Sequence, residues 1–374
     1  MRIGYDAKRA FKNYTGLGNY SRSIISIMAQ FYPANEYLLY TPPYKSHTSN
    51  VFASSSNISI CQPKSIWRSF HSVWRSYRLS KEIEQGKIDI FHGLSHELPV
   101  GIKHTGAKSI VTMHDLIVLR YPHLYNYIDR KIYLKKYHTS CKYADLIIAI
   151  SQQTKNDLIN LMGVDEHKIR LVYQGCDPQF YILRGDAEKQ IVKQKYNLPN
   201  KYILNVGTIE PRKRLAIIVK ALAKLPDDVH LVAIGKSTNY MSEVQKEVKQ
   251  HGLEQRVHIL SGVQFADLPA IYQQAQVFVY PSIFEGFGIP ILEALNSRTP
   301  VIAANSSSLP EVGGIAALYI DIDNDVMLAQ YLQNVLTNSY LRNNMIENGI
   351  VQAFKFREKE VAQALWAVYN ELVN

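Results

Sequence analysis

At 374 residues the chain is too long for one ordinary hydrophobic core and long enough for two. With 47% hydrophobic and 20% charged residues, and no stretch approaching the ~20 apolar residues of a membrane span, the composition excludes a disordered or membrane-spanning protein. The net charge of +10 lies wholly in residues 1–180, which hold 23 basic and 13 acidic residues, whereas residues 181–374 hold 19 of each; this points to an anionic partner for the first half, and nucleic acid, an acidic membrane surface and a phosphorylated substrate all qualify.

The opening, MRIGYDAKRAF, lacks the apolar run of a signal peptide and reads directly as a first strand. RIGYD, YLLYT, IDIFH, SIVTMH, DLIIAIS and IRLVY follow one another through the first half as short apolar runs. YILNVGT, VHLVAIG, VHILS, VFVYP, TPVIAA and ALYID do the same in the second, and longer helical patterns separate them all. Near-continuous apolar strands alternating with helices predict parallel sheets covered on both faces, hence an α/β protein of two Rossmann-like, doubly wound domains. The break falls near GCDPQFYILRGD, where Gly175, Pro178 and Gly185 punctuate the chain, giving domains at 1–180 and 181–356. Ligands of open α/β sheets sit beyond the carboxyl ends of the strands, so two facing sheets predict a site in a central cleft. Cys61, Cys141 and Cys176 show neither disulfide nor metal-ligand spacing, which fits a reduced, cytoplasmic home.

The residues that end strands carry the chemistry. In VFVYPSIFEGFGIPILEAL a strand runs into a glycine-containing turn, and Pro290 stands where a helix begins. The N–H groups around Gly286, Phe287 and Gly288 then face out of a helix N-terminus, an arrangement that favours anions. Glu285 precedes the turn and Glu293, eight residues later, is placed in the first helical turn. Carboxylates beside a diphosphate-binding end would repel phosphate, so their expected partners are ribose and hexose hydroxyls. In VGTIEPRKR, Arg212 and Lys213 follow another strand, where cations can balance the charge of an anionic ligand. Gly16 and Gly18 in TGLGNY form an incomplete dinucleotide fingerprint on the loop after the first strand. His114 and Asp115 end SIVTMH, while His92, His96 and Glu97 in FHGLSHELP end the strand before it.

Taken in order, TGLGNYSR, MHDL, ADLIIAIS, VGTIEPRKR, PSIFEGFGIPILEAL and SLPEVGGIAAL resemble the retaining glycosyltransferases of family 4 (group 1), a GT-B fold family with an E-x7-E motif, over nearly the whole chain. The resemblance implies a metal-independent hexosyltransferase that needs no cofactor and takes a nucleotide sugar as substrate. It implies that Glu293 binds ribose, that Glu285 and the amides of Gly286, Phe287 and Gly288 hold the donor hexose, and that Lys213 and Arg212 support the diphosphate. Gly16 and Gly18 become a glycine loop approaching that diphosphate, His114 sits beside the donor sugar, and Asp115, His92, His96 and Glu97 are acceptor-side candidates. Glu311 in SLPEVGG lies near the donor pocket or caps a helix. The variant TIEPRKR resembles that of mannosyl- and rhamnosyl-transferring members, which implies GDP-mannose as the first donor to consider, a glycan or lipid-linked acceptor in surface polysaccharide synthesis, and no nucleic acid. A C-terminal helix at about 357–374 is expected to pack back on the first domain. Two departures stand out: Thr208 follows the Gly after its strand where the family often has Arg, and Arg298 replaces a frequent Gly, altering a helix C-cap.

Asp321, Asp323 and Asp325 form a D-x-D-x-D run that imitates a metal site, but they follow the last strand, far from the two-Glu motif. In SIWRSFHSVWRSYRLSK, Trp67, Phe70, Trp74 and Tyr77 recur at helical spacing, with Arg68, Arg75 and Arg78 beside them. That pattern is read as an interfacial helix docking the enzyme peripherally on an anionic membrane at the cytoplasmic face; a helix packing its aromatics in the core is the competing reading. A nucleotide-sugar epimerase of similar architecture and a catalytically silent sugar- or lipid-binding scaffold are the alternatives to transfer. A nicotinamide oxidoreductase lacks both the third glycine and the acidic residue that should follow it.

Overall fold

The computed structural model describes residues 1–13, 15–44, 52 and 55–374. The chain divides into two compact units, residues 1–175 with 357–374, and residues 176–356, so residues 176–180 go with the second.

The first unit is a seven-stranded parallel sheet: β1 (Arg2–Asp6), β2 (Glu36–Tyr40), β3 (Ile58–Cys61), β4 (Ile90–Gly93), β5 (Lys108–Met113), β6 (Leu146–Ala149) and β7 (Ile169–Leu171). Its spatial order is β3-β2-β1-β4-β5-β6-β7. The inner strands are buried along nearly all of their length because helices cover both faces. β3 is the strand that the apolar runs do not announce: it is an edge strand with an exposed middle, so no continuous hydrophobic run is required of it. The helix Glu358–Val373 belongs to this unit, where Trp366 stacks on Tyr32 at 4.4 Å.

The second unit holds β8 (Tyr202–Val206), β9 (His230–Ile234), β10 (Val257–Leu260), β11 (Val277–Tyr280), β12 (Val301–Ala304) and β13 (Ala317–Ile320), all parallel, in the order β10-β9-β8-β11-β12-β13. Its core is built on the helix Leu215–Leu222, buried along nearly its whole length against these strands.

One sequence-based expectation changes here. The aromatic segment is not one interfacial helix: Ser65–Arg68 is a 3-10 turn and Trp74–Arg78 a π-helical turn leading into the helix Leu79–Gln85. Trp74 is fully buried and donates from Nε1 to Glu82 at 2.6 Å, and Arg75 turns inward to two carboxylates. The exposed apolar residues of the segment are Ile66, Phe70, Val73 and Tyr77. In the D-x-D-x-D run, Asp323 pairs with Arg214, and Asp325 opens the helix Asp325–Thr337 and pairs with Lys224. Among the described residues no group of three or more His, Cys, Asp or Glu side chains is arranged to hold a metal ion, and no helix is long and apolar enough to cross a membrane.

Candidate active site

In the second unit the strand order reverses between β8 and β11, the switch point at which an open α/β sheet binds its ligand. After β8 the chain enters a 3-10 turn, Pro211–Lys213, which Arg214 ends at φ +56°. After β11 it loops to the helix Ile289–Asn296. Gly288, just before that helix, has φ +126°, a conformation open in practice to glycine alone, and Pro290 in the first turn lacks an N–H that would have no helical partner. The two loops are tied together by the Ile283 N–H, which donates to the Arg212 carbonyl at 2.9 Å.

Glu285 lies where they meet. Its Oε1 accepts from Ser282 at 2.6 Å and from the Tyr280 hydroxyl at 3.0 Å, pairs with Arg212 at 2.8 Å and is contacted by Lys213 Nζ. Oε2 takes none of these contacts. Burial by itself raises a carboxyl pKa, but the charges of Lys213 and Arg212 outweigh it and hold Glu285 at about 2. Burial shifts Lys213 downward, with the Arg212 charge adding to it and Glu285 opposing. Arg212 is pushed up, because Glu285 and Glu210 outweigh its burial; its pairing with Glu210 is at 2.6 Å. The two cations predicted to serve the diphosphate are thus engaged with carboxylates, and Lys213 also lies over the Tyr280 ring at 4.7 Å. Thr208, at the position where Arg is frequent, is exposed.

Glu293 has a different environment. It is the fifth residue of its helix, not part of the first turn, and it is buried. The Tyr272 hydroxyl donates to it at 3.0 Å, and no cation faces it among the described residues. Burial therefore raises its pKa to about 7, with Asp177 adding to the rise and Tyr272 opposing it. One turn on, Asn296 donates to Cys176 Sγ at 3.3 Å. The Phe287 ring is buried edge-on against Phe356, 5.5 Å between centroids, so Phe287 can address a ligand only through its main chain. Glu311 falls in the first turn of the short helix Leu309–Gly313, where an acid suits the helix end. Arg298 occupies the residue after the C-cap of Ile289–Asn296 at φ +58°, the left-handed position that glycine usually fills.

The first unit has its own switch point, between β1 and β4. Asp6 ends β1 and Glu97 follows β4. Arg75 bridges them, at 2.6 Å to each, and Lys136 reaches Glu97 at 2.9 Å. Burial raises the Glu97 carboxyl, but Arg75 and Lys136 prevail and bring it to about 2. His114, after β5, is buried; Nε2 faces the Leu94 carbonyl at 2.9 Å and must carry the proton, while its ring meets Tyr20 edge-on at 4.6 Å. Burial lowers its pKa to about 3, so it is a neutral imidazole. Asp115 Oδ1 accepts from the Ile117 N–H at 3.1 Å and shapes the turn.

Three expectations fail in this unit. His92 is not an acceptor-side group: it is fully buried, with Nδ1 bonded to Tyr369 at 2.7 Å and Nε2 to Thr112 at 2.8 Å. His96 is buried too, and its Nε2 accepts from the His114 N–H at 2.9 Å, so it props the strand end. Gly16 and Gly18 are not on a loop but in the first turn of the helix Gly16–Phe31, behind a short helix Lys8–Lys12. A Cβ on Gly18 would meet the Asn13 carbonyl oxygen at 1.8 Å, so close backbone approach dictates glycine there, whereas Gly16 faces open space. The residues that sequence reasoning missed are Tyr272, Tyr280 and Ser282 around the two glutamates, and Arg75 in the first unit. Only Tyr280, at a strand end, carried a positional signal.

With this geometry described, comparisons place the chain among known proteins. The family described as "Glycosyl transferases group 1" matches residues 186–352, and "Glycosyltransferase Family 4" matches residues 34–180. The O-antigen chain mannosyltransferase B of Escherichia coli is 34% identical over 274 residues, covering 71% of this chain and 70% of its own. The serotype-specific mannosyltransferase WbdA of the same species is 27% identical over 282 residues; the match takes 72% of this chain but 34% of that protein, so the chain spans about a third of that relative's length. The crystal structure of Anabaena Alr3699/HepE in complex with UDP and glucose has the same fold, with a TM-score of 0.75 at 17% identity over 99% of both chains.

Proposed function

Because this chain belongs to the group 1 glycosyltransferases of family 4, we propose that it moves a hexose, mannose foremost, from a nucleoside-diphosphate sugar onto a glycan or lipid-linked acceptor in surface polysaccharide synthesis. Glycosyl transfer follows from the family. The observation that carries the finer reading is the cluster at the β8–β11 switch point, where Glu285, Lys213 and Arg212 adjoin the helix end at Gly288.

In this reading the Glu293 carboxylate accepts the ribose hydroxyls, and Glu285 accepts a hexose hydroxyl through Oε2, while Oε1 takes the contacts with Ser282, Tyr280, Arg212 and Lys213. The main-chain amides of Gly286, Phe287 and Gly288, with Lys213 and Arg212, stabilise the diphosphate as it leaves. The bond from the anomeric carbon to the phosphate oxygen breaks and the bond to the acceptor oxygen forms on the same face. The acceptor proton passes to the departing phosphate, so configuration is retained. Glu285, already compensated by two cations, is a poor nucleophile, which favours this route over a glycosyl-enzyme intermediate. His114, Asp115 and Glu97 remain the candidates of the first unit. The fixed cations and amides also make a divalent ion dispensable.

Mannose is favoured by the names of the two E. coli relatives, and GDP-mannose is the first donor to try. UDP-sugars belong in the same panel, since UDP and glucose were found in Alr3699/HepE. Nucleotide release by the purified protein across that panel, the anomeric configuration of the product by NMR, and turnover after EDTA test the reading. Nucleotide release is expected with one donor, a retained anomer and full activity in EDTA; an inverted product, or activity restored only by Mg²⁺ or Mn²⁺, rejects the mechanism. The basic first unit is further proposed to dock peripherally on the anionic inner membrane surface through Ile66, Phe70, Val73 and Tyr77 with Arg68 and Arg78. Salt-sensitive co-sedimentation with anionic but not neutral vesicles is expected, and equal recovery in every supernatant rejects it.

A further inference from the structure

The turn after β12 reads Asn305-Ser306-Ser307-Ser308, and the scheme above assigns it nothing. Each of its three serine hydroxyls bonds the loop that carries Glu285. Ser306 donates to the Ser282 carbonyl at 2.8 Å. Ser307 Oγ accepts from the Glu285 N–H at 3.0 Å. Ser308, fully buried, donates to the Phe287 carbonyl at 2.5 Å and lies 2.9 Å from the Glu285 carbonyl. Both main-chain polar groups of Glu285 are therefore held from a neighbouring strand end, and the side chain of Ser282, whose carbonyl is held as well, donates to Glu285 Oε1.

The backbone at Ser307 shows that this is more than a serine-rich turn. Its φ is +48°, a left-handed conformation that is strained for an L-residue and free for glycine. Glycine would satisfy the backbone, yet it could not supply the oxygen that binds the Glu285 amide. That bond also removes the Glu285 N–H from any anion-binding set and leaves that task to the amides from Gly286 onward.

We propose that Ser307 and Ser308 are positioning residues for the sugar half of the donor site, setting the main chain of Glu285 so that its carboxylate addresses the hexose. The inference rests on the assignment of Glu285 to the hexose. It separates two halves of one ligand most cleanly at Ser307, which bonds Glu285 alone, whereas Ser308 also bonds the Phe287 carbonyl in the diphosphate-facing turn, and neither serine bonds Glu293 at the ribose end.

The test compares Ser307→Gly, Ser308→Ala and Glu285→Gln with the wild type, using thermal unfolding, calorimetric affinity for the nucleoside diphosphate and for the nucleotide sugar, and kcat. Ser307→Gly relieves the left-handed residue and is expected to keep or raise the Tm and to bind the nucleoside diphosphate within about two-fold of wild type. The extra affinity contributed by the hexose, and kcat, should fall by about five- to ten-fold, the effect of one neutral hydrogen bond. Ser308→Ala should lower the same two quantities. Wild-type hexose affinity and kcat in both serine variants, alongside an impaired Glu285→Gln, overturns the positioning role and leaves the role of Glu285 standing. An equal loss of nucleotide and nucleotide-sugar affinity with a lowered Tm also overturns it, by showing a merely structural turn. Wild-type behaviour of Glu285→Gln removes the underlying assignment and the inference with it.

Discussion

The two switch points carry the same inventory and assemble it differently. Between β1 and β4, Asp6 and Glu97 share Arg75, with Lys136 on Glu97. Between β8 and β11, Glu210 and Glu285 share Arg212, with Lys213 on Glu285. In each, one glutamate is brought to about 2 by an arginine and a lysine that overcome its burial. The second cluster draws its cations from the loop that directly follows β8, beside a helix end framed by Gly288. The first draws Arg75 from the π-helical turn Trp74–Arg78, on the connection that follows β3. There the arginine ties the two loops together. Equal charge content therefore does not mean equal wiring: one cluster takes its cations from an adjoining loop beside a helix end, and the other takes its arginine from a distant connection.

That contrast can be broken by mutation. The largest effect is expected from Arg75→Ala, which leaves Asp6 and Glu97 poorly compensated; breaking a buried pair costs about 3–5 kcal/mol, and calorimetry should show the loss as a lowered unfolding transition. Glu285→Gln leaves Lys213 and Arg212 without their carboxylate and should lower the Tm, yet the folded variant should bind the nucleoside diphosphate within a few-fold of wild type while turnover falls about 100-fold or more, as when a preorganised electrostatic contact is removed. Wild-type turnover in that variant would remove the second cluster from the mechanism. Glu293→Ala is expected to weaken nucleoside diphosphate binding by roughly 10- to 100-fold, the loss of a charge-assisted hydrogen bond, as titration calorimetry can read.

A pH series sharpens the comparison within one motif. Glu293, with a pKa of about 7, is neutral below that value and a stronger acceptor for ribose hydroxyls above it. Nucleotide affinity should therefore rise from about pH 6 to about pH 8, and the rise should vanish in Glu293→Gln. Stability runs the other way. A carboxyl whose pKa is raised on folding contributes stability that is fully present below its unfolded value and is lost as pH rises through the folded one, so Glu293 favours the second unit less as pH climbs through about 7. Glu285, with a lowered pKa, contributes stability that is lost only as pH falls toward about 2. A flat affinity profile in the wild type would show that Glu293 does not meet the ribose. The smallest effect expected is from Arg298→Gly, which relieves a left-handed residue at an exposed position and should stabilise by about 1 kcal/mol in chemical denaturation.

The amino-acid order alone determined what is local. A strand covered on both faces must be apolar along its length, so each such run announced a strand, and β3 escaped because an exposed edge makes no such demand. The Glu285–Glu293 motif and the Pro211–Lys213 turn were legible for the same reason: glycine and proline shape a strand–turn–helix within a few residues. The tertiary structure decided which charged and aromatic groups are free. Trp74, His92 and His96 carry the same residue types as a surface or site group would, but long-range packing turned them inward. Glu293 and Glu285 belong to one motif, yet only the second has cations, brought by a loop 72 residues away. Ser307 reaches Glu285 across 22 residues of chain. Ionisation and availability are set by burial and by the charges that packing delivers, and the distances between those partners in space are not encoded in their spacing along the chain.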